Sequence, residues 1–162
     1  MRHRALILTS VIAAGLGLAS SADAQMNPRG EARVTLAGKP IVVDYGRPSL
    51  KGRDMLGKAA VGDEWRMGAD GATTLDTPMT LTFGSAAVAP GEYVLKAKKV
   101  SATDWALKLE KDGKTAAEVP LIASTLDNSV EVFTIDLADE KGEGVFRMSW
   151  GTRALSARFT AK

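Results

Sequence analysis

Two of the side chains that most often carry out chemistry are nearly missing from this sequence. It has no cysteine, and its only histidine, His3, lies at the extreme amino terminus. The missing cysteines exclude disulfide stabilisation. Without histidine in the body of the chain, a Ser-His-Asp triad cannot form, and the thiolate and imidazole ligands of ordinary zinc and copper sites are lacking. We therefore expect no metal and no cofactor.

The amino terminus has the pattern of an export signal. Arg2 and Arg4 precede an apolar run over residues 5–19, which is shorter than the stretch of about 20 residues that spans a bilayer. Ala-Asp-Ala at 22–24 follows as a small-x-small cleavage site. We predict a signal peptide over residues 1–24 and a periplasmic or secreted protein, with no membrane insertion after cleavage.

Neither sign of charge dominates the chain. It has 21 basic and 19 acidic residues, and loss of the signal peptide brings the two closer to balance. Binding to nucleic acid or anionic membranes needs a marked excess of Lys and Arg on one face, so no nucleic-acid partner is expected. Charge-driven recognition must be local, and the partners we consider are a small anionic ligand or another envelope protein.

Helical periodicity is nearly absent, and alternation of apolar and polar residues recurs along the chain. Lys-Asp-Gly-Lys at 111–114 favours a hairpin, and Pro120 indicates that residues 115–125 form an edge strand or a loop. About eight to ten short strands at regular spacing predict an all-β fold. We expect a single β-sandwich or jelly-roll-like domain over residues 32–162, after a flexible lead-in over 25–31.

One long stretch, residues 46–71, breaks this alternation and is rich in glycine and charge. Loops of such length in a compact domain are usually functional or have local structure of their own. Arg47, Lys51 and Arg53 stand here with no acid between them, and Arg66 follows. Guanidinium groups bind carboxylate and phosphate oxygens in a bidentate manner, so a loop that folds back on itself could gather the four cations into an anion pocket.

The alternative is that these cations pair with neighbouring acids and hold the loop to the sheet. The acids available for this are Asp44, Asp54, Asp63 and Glu64. A helical turn around residues 54–58 could add local order. Tyr45 and Trp65 could form part of a ligand-facing wall, although packing is the favoured interpretation of Trp65. Trp105 and Trp150 fall at inward strand positions and are interpreted as core.

The acids offer two further patterns. A glycosidase needs two carboxylates at a fixed separation, and a sequence cannot show that separation. A carboxylate-dependent hydrolase acting on a carbohydrate is therefore kept as the alternative function. Oxygen ligands for calcium could come from Asp136, Asp139, Glu140 and Glu143. Their spacing differs from that of the EF-hand loop, which favours a solvated acidic turn.

Three motifs give the chain a family resemblance. They are YGRPSLKGRDMLG at 45–57, DEWRMGADGATTL at 63–75 and APGEYVL at 89–95. With them the sequence resembles a bacterial family known as domain of unknown function 2911. The resemblance implies an exported β-rich domain in which the motif residues are gathered together, and it implies no particular activity. The chain has Asp70 and Gly71 where Asn-Glu is usual in the family, so any role of that glutamate in relatives would be lost here.

These observations predict a non-catalytic binding or structural domain with an anion-binding loop within residues 45–73. An enzyme is the less favoured class. The residues assigned to the ligand site are Tyr45, Arg47, Lys51, Arg53, Trp65, Arg66, Asp70 and Thr73.

Overall fold

A computed structural model describes residues 26–162, so the predicted signal peptide lies outside the described residues. This part of the chain forms ten strands and no helix, which confirms the all-β prediction. The strands are β1 Arg29–Leu36, β2 Lys39–Gly46, β3 Glu64–Trp65, β4 Thr74–Thr77, β5 Leu81–Phe83, β6 Ala86–Val88, β7 Gly91–Lys99, β8 Trp105–Lys111, β9 Lys114–Glu140 and β10 Glu143–Ala161. Among the described residues no helix could therefore cross a membrane.

The strands join one antiparallel sheet that is folded into two layers. The strand order is β1-β2-β4-β7-β8-β9-β10-β5-β6, with β3 paired to β7. The long strand β9 connects the layers, because residues 114–121 pair with β8 whereas later residues pair with β10. The first layer consists of β1, β2, β3, β4, β7, β8 and the start of β9. The second layer consists of the end of β9, β10, β5 and β6. Tyr45 Oη of β2 donates a hydrogen bond across the core to the carbonyl oxygen of Ile135 of β9 (3.2 Å).

The alternation in the sequence determines which side chains enter the core between the layers. In β7, Tyr93, Leu95 and Ala97 are buried, whereas Lys96 and Lys98 lie on the outer face. Such alternation is what a strand with one buried face requires. Each large apolar side chain that is removed from water contributes roughly 1.5 to 3 kcal/mol. Trp105 and Trp150 are both 4% exposed, which confirms them as core residues.

Two local predictions are confirmed by the pairing of the strands. Lys111 faces Lys114 across a two-residue turn in which Asp112 and Gly113 have φ values of 52° and 73°, as a type I′ hairpin requires. Pro120 lies in β9 opposite Ala106 of β8. No strand of the described chain pairs with the other side of β9 over residues 114–121, so this part of β9 is an edge, where a proline is tolerated.

Two other expectations differ from the structure. Strand β1 begins at Arg29, inside the range expected to be flexible, because its first residues pair with the end of β2, where Arg29 faces Gly46. The polar sequence of this segment does not indicate a strand, because the strand forms only by pairing with a later part of the chain. Residues 55–58 form a turn and not a helix. Asp54 Oδ1 accepts a hydrogen bond from Gly57 N at 2.7 Å and so stabilises this turn.

The outer face of β3, β7 and β8 carries a network of ion pairs that ties β3 to the first layer. Lys108 Nζ lies 2.8 Å from Glu64 Oε1 and 3.0 Å from Glu110 Oε1, and Lys96 Nζ lies 2.7 Å from Glu110 Oε2. The hydrogen bond from Lys108 lowers the pKa of Glu64. Hydrogen bonds from Lys96 and then Lys108 lower the pKa of Glu110.

This network predicts a loss of stability in acid. The two glutamates regain their ordinary pKa of 4.5 in the unfolded chain, so the network stabilises the fold above that pH and stops doing so as pH falls through the lowered values. We expect Lys108→Met to lower the melting temperature by a few degrees at neutral pH and by almost nothing near pH 3. Thermal melts of wild type, Lys108→Met and the exposed control Lys39→Met at several pH values measure this. If Lys108→Met melted below the wild type by the same amount at every pH, the prediction would be wrong.

Candidate functional site

The long segment between β2 and β4 is held to the second layer by a short main-chain ladder. Leu50 N donates to the carbonyl oxygen of Glu131, and Phe133 N donates to that of Pro48, both at 2.9 Å. Ser49 thereby forms a bridge with Val132 of β9. The segment then reaches the first layer through β3. It therefore has local structure of its own, which is one of the two possibilities that its length indicates.

The turn over residues 66–73 is tightly constrained. Met67 and Asp70 have φ values of 55° and 64°, which are uncommon for residues other than glycine. The Met67 side chain is fully buried, and its carbonyl oxygen accepts a hydrogen bond from the buried Thr73 Oγ1 at 2.7 Å. Such backbone strain persists only where the surroundings over-determine the conformation. The turn is thus a rigid support for Arg66 and Asp70.

Arg66 and Asp70 connect this turn to the start of β1. Arg66 Nη1 donates to the carbonyl oxygen of Asp70 at 3.0 Å. Asp70 Oδ2 accepts hydrogen bonds from Asn27 N at 2.7 Å and from Asn27 Nδ2 at 3.2 Å. The carboxylate of Asp70 therefore positions the chain that leads into β1.

Arg47 lies beside the same end of β1. Its main-chain N donates to the carbonyl oxygen of Pro28 at 2.8 Å. Its side chain packs over Gly30, since a Cβ added to Gly30 would lie 2.5 Å from Arg47 Cδ. Arg47 Nε is buried and has no hydrogen-bond partner among the described residues. Arg47 as a whole is only partly buried, so an anion would approach the end of its guanidinium and not the enclosed Nε.

Arg29 completes the group, and the sequence did not indicate it. Its guanidinium forms an ion pair with Asp44, and Nη2 donates to the carbonyl oxygen of Ala72 at 3.0 Å. A Cβ at Gly71 would lie 3.0 Å from Arg29 Nη1, so the position that departs from the family pattern faces this guanidinium. No local pattern marks Arg29 or Asn27, because both lie in the expected lead-in and their partners are distant in sequence.

Lys51 and Arg53, the other two predicted cations, lie near β9 instead. Lys51 N donates to Glu131 Oε1 at 3.0 Å, and Arg53 Nε donates to the carbonyl oxygen of Leu50 at 3.0 Å. The cleft beside Arg53, of about 350 Å³, is lined by none of the other three cations. The structure thus brings Arg47 and Arg66 to the start of β1 and keeps Lys51 and Arg53 at the junction with β9.

None of these four cations forms an ion pair with a carboxylate within residues 26–162. The acids considered as partners are engaged elsewhere: Asp44 with Arg29, Glu64 with Lys96 and Lys108, Asp54 with Gly57 N and Asp63 with Ala60 N. The ion pairs that would have held the loop to the sheet are therefore not formed. The charges of the four cations are not neutralised locally.

The two aromatic residues assigned to the site belong to the core. Tyr45 is 3% exposed, and its ring meets that of Phe133 edge to face at 5.7 Å. Trp65 stacks on Trp150 with ring centroids 5.3 Å apart and an interplanar angle of 15°. Packing is thus confirmed for Trp65. Tyr45 and the buried Thr73 support the site from within and do not face a ligand, because both are enclosed by the core.

Glu64 is not suited to act as the general acid of a glycosidase. Asp54, Asp63 and Glu64 line one cleft together with Trp65, but Lys108 lowers the pKa of Glu64, whereas a general acid needs a raised one. At the acidic turn, Glu140 and Glu143 pair with Arg158. Within the described residues no three acids converge in a way that could hold a metal ion.

Comparison with known proteins yields one match. A family model described as a protein of unknown function (DUF2911) matches residues 27–159, a range that includes all three motifs. No curated protein and no solved structure matches the chain. The resemblance inferred from the motifs is confirmed, and the chain belongs to the DUF2911 family.

Proposed function

We propose that this protein is an exported, non-catalytic binding domain that holds a small anion between Arg47, Arg66 and the turn over residues 66–73. The observation that carries the proposal is that Arg47 and Arg66 both lie at the start of β1 and that neither pairs with a carboxylate of the described chain. A carboxylate or phosphate could accept hydrogen bonds from the Nη atoms of the two guanidinium groups.

The rigidity of the surroundings supports this proposal. Arg66 is fixed by its hydrogen bond to the strained turn, and Arg47 is fixed by its packing over Gly30. Groups that are already held in place lose little entropy when a ligand binds. Because neither guanidinium is paired with a carboxylate of the described chain, an incoming anion has no internal ion pair to break.

The proposal predicts a ligand-dependent thermal shift that requires both arginines. A screen of phosphates, carboxylates and acidic sugars should yield an anion that raises the melting temperature of the wild type. The expected gain in unfolding free energy is about 2.7 kcal/mol at a hundredfold excess over the dissociation constant, and added salt should reduce it. Arg47→Ala/Arg66→Ala should abolish the shift.

Two further variants separate binding from stability. Arg147→Ala removes an exposed arginine of β10 that forms no ion pair within the described chain, and it should keep the full ligand shift. Gly30→Ala keeps every charge but displaces Arg47, because the new Cβ would lie 2.5 Å from Arg47 Cδ; it should lose the shift. Absence of any anion-dependent shift in the wild type, or a shift that survives Arg47→Ala/Arg66→Ala, would refute the proposal.

A further inference from the structure

We infer that the protein has a second binding site, for a small organic carboxylate with an apolar body, at the end of the core next to Trp105. A cleft of about 300 Å³ opens there between β8, β9 and β10. This volume is at the lower end of the range for small-molecule sites. The site is separate from Arg47 and Arg66, neither of which lines the cleft.

The strands direct a cation into this cleft. Arg153 of β10 lies on the strand face that further along carries Leu155 and Ala157, which are 2% and 5% exposed. Arg153 therefore occupies an inward position, but it remains exposed because the core ends there. It forms no ion pair within residues 26–162. An inward-facing guanidinium without a carboxylate is a suitable group for binding one.

A second cation lies behind the same indole ring. Lys99 of β7 follows Leu95 and Ala97 on the inner face and is only 8% exposed. Its Nζ lies 4.7 Å from the centroid of the Trp105 ring, a geometry in which the face of the ring attracts the charge. No carboxylate of the described chain lies within ion-pair distance of Lys99. Two uncompensated positive charges thus lie near Trp105.

The remaining lining determines the class of ligand. Leu56, Trp105 and Leu155 provide the apolar part of the lining, and Thr103, Ser124 and Thr125 line the cleft as well. No acidic residue of the described chain lines it. Asp104 precedes Trp105 but lies outside the lining, and its carboxylate accepts hydrogen bonds from Ser101 Oγ and, at 3.3 Å, from Thr103 Oγ1. The cleft therefore suits a molecule whose carboxylate binds Arg153 while its apolar part lies against the edges of Leu56, Trp105 and Leu155.

Isothermal titration calorimetry with 3-phenylpropanoate tests this inference, with the neutral 3-phenylpropanamide as the matched control ligand. We expect saturable binding of the acid and at least tenfold weaker binding of the amide. Arg153→Gln should weaken binding of the acid by about tenfold to a hundredfold, as loss of a hydrogen bond between charged groups does. Arg153 is exposed, so this variant should fold. Arg147→Gln, also exposed on β10, should bind like the wild type.

The outcomes distinguish this site from the one between Arg47 and Arg66. If the inference is correct, Arg47→Ala/Arg66→Ala binds 3-phenylpropanoate like the wild type, and Lys99→Met binds it more weakly. Absence of saturable binding, equal binding of acid and amide, or full binding by Arg153→Gln would overturn the inference. Binding that disappears in Arg47→Ala/Arg66→Ala would also overturn it, because the carboxylate would then occupy the other site.

Discussion

Replacing Phe133 with alanine is expected to lower the free energy of unfolding by about 3 to 5 kcal/mol. Phe133 is fully buried in β9. Its ring lies 4.9 Å from that of Trp65 and 5.7 Å from those of Tyr45 and Trp150, in edge-to-face arrangements. The substitution removes apolar area and leaves a cavity where both layers and the long loop meet. Of the four rings in this cluster, Phe133 alone contacts each of the other three.

Urea denaturation followed by tryptophan fluorescence measures this loss. Ile122→Ala is the matched control, because Ile122 lies on the same strand and is 68% exposed; its stability should change by no more than about 0.5 kcal/mol. A loss below about 1 kcal/mol for Phe133→Ala would mean that the cluster does not join the layers in the way described.

Gly46→Ala is expected to destabilise the protein by about 3 kcal/mol, since overpacking of a rigid contact typically costs about 1 to 3 kcal/mol and occasionally more. A Cβ at Gly46 would overlap the carbonyl oxygen of Ala69 and lie 2.8 Å from its N. Both atoms are main chain, and the strained turn that contains them cannot move without breaking the bond between Thr73 and Met67. The melting temperature should fall by roughly 10 °C.

Gly71→Ala is the control for this substitution. Its Cβ would meet only the end of the Arg29 side chain, at 3.0 Å from Nη1, and a flexible guanidinium can move aside. We expect its stability to stay within about 0.5 kcal/mol of the wild type. Thermal melts of the two variants compare them directly, and equal losses would show that the contact between β2 and the turn is not rigid.

The strands were predictable because their determinants are local. In β7 the alternation from Tyr93 to Lys98 indicates both the strand and its buried face, and the turn chemistry at Asp112 and Gly113 indicates the hairpin. The start of β1 was not predictable, because the segment around Arg29 becomes a strand only by pairing with the end of β2, about fifteen residues later in the chain.

The composition of the candidate site was predictable only in part. Arg47 and Arg66 stood out as cations of an aperiodic loop, but their separation from Lys51 and Arg53 depends on how the chain turns. Lys51 and Gly52 have φ values of 50° and 73° and form a turn after the bridge at Ser49, in which Arg53 N donates to the carbonyl oxygen of Leu50. Closeness in sequence therefore did not give closeness in space.

That Arg47 has no carboxylate partner among the described residues could not be predicted at all. Asp44 was available in the sequence as a partner, and the structure pairs it with Arg29 instead. Likewise, the contact between Trp65 and Trp150 joins residues from distant parts of the chain, so the sequence indicated that Trp65 packs but not against what. Both depend on the layers coming together.

The proposed anion site is tested most directly at Arg47 Nε itself. In a nitrogen–proton NMR correlation spectrum, the Nε–Hε signal of Arg47 can be assigned by its loss in Arg47→Ala. On titration with the anion that gives the largest thermal shift, this signal should move in a saturable way, because an anion bound to the same guanidinium changes the electronic environment of Nε–Hε, while that of Arg147 stays in place. An Arg47 signal that does not move as the anion is added would contradict the account.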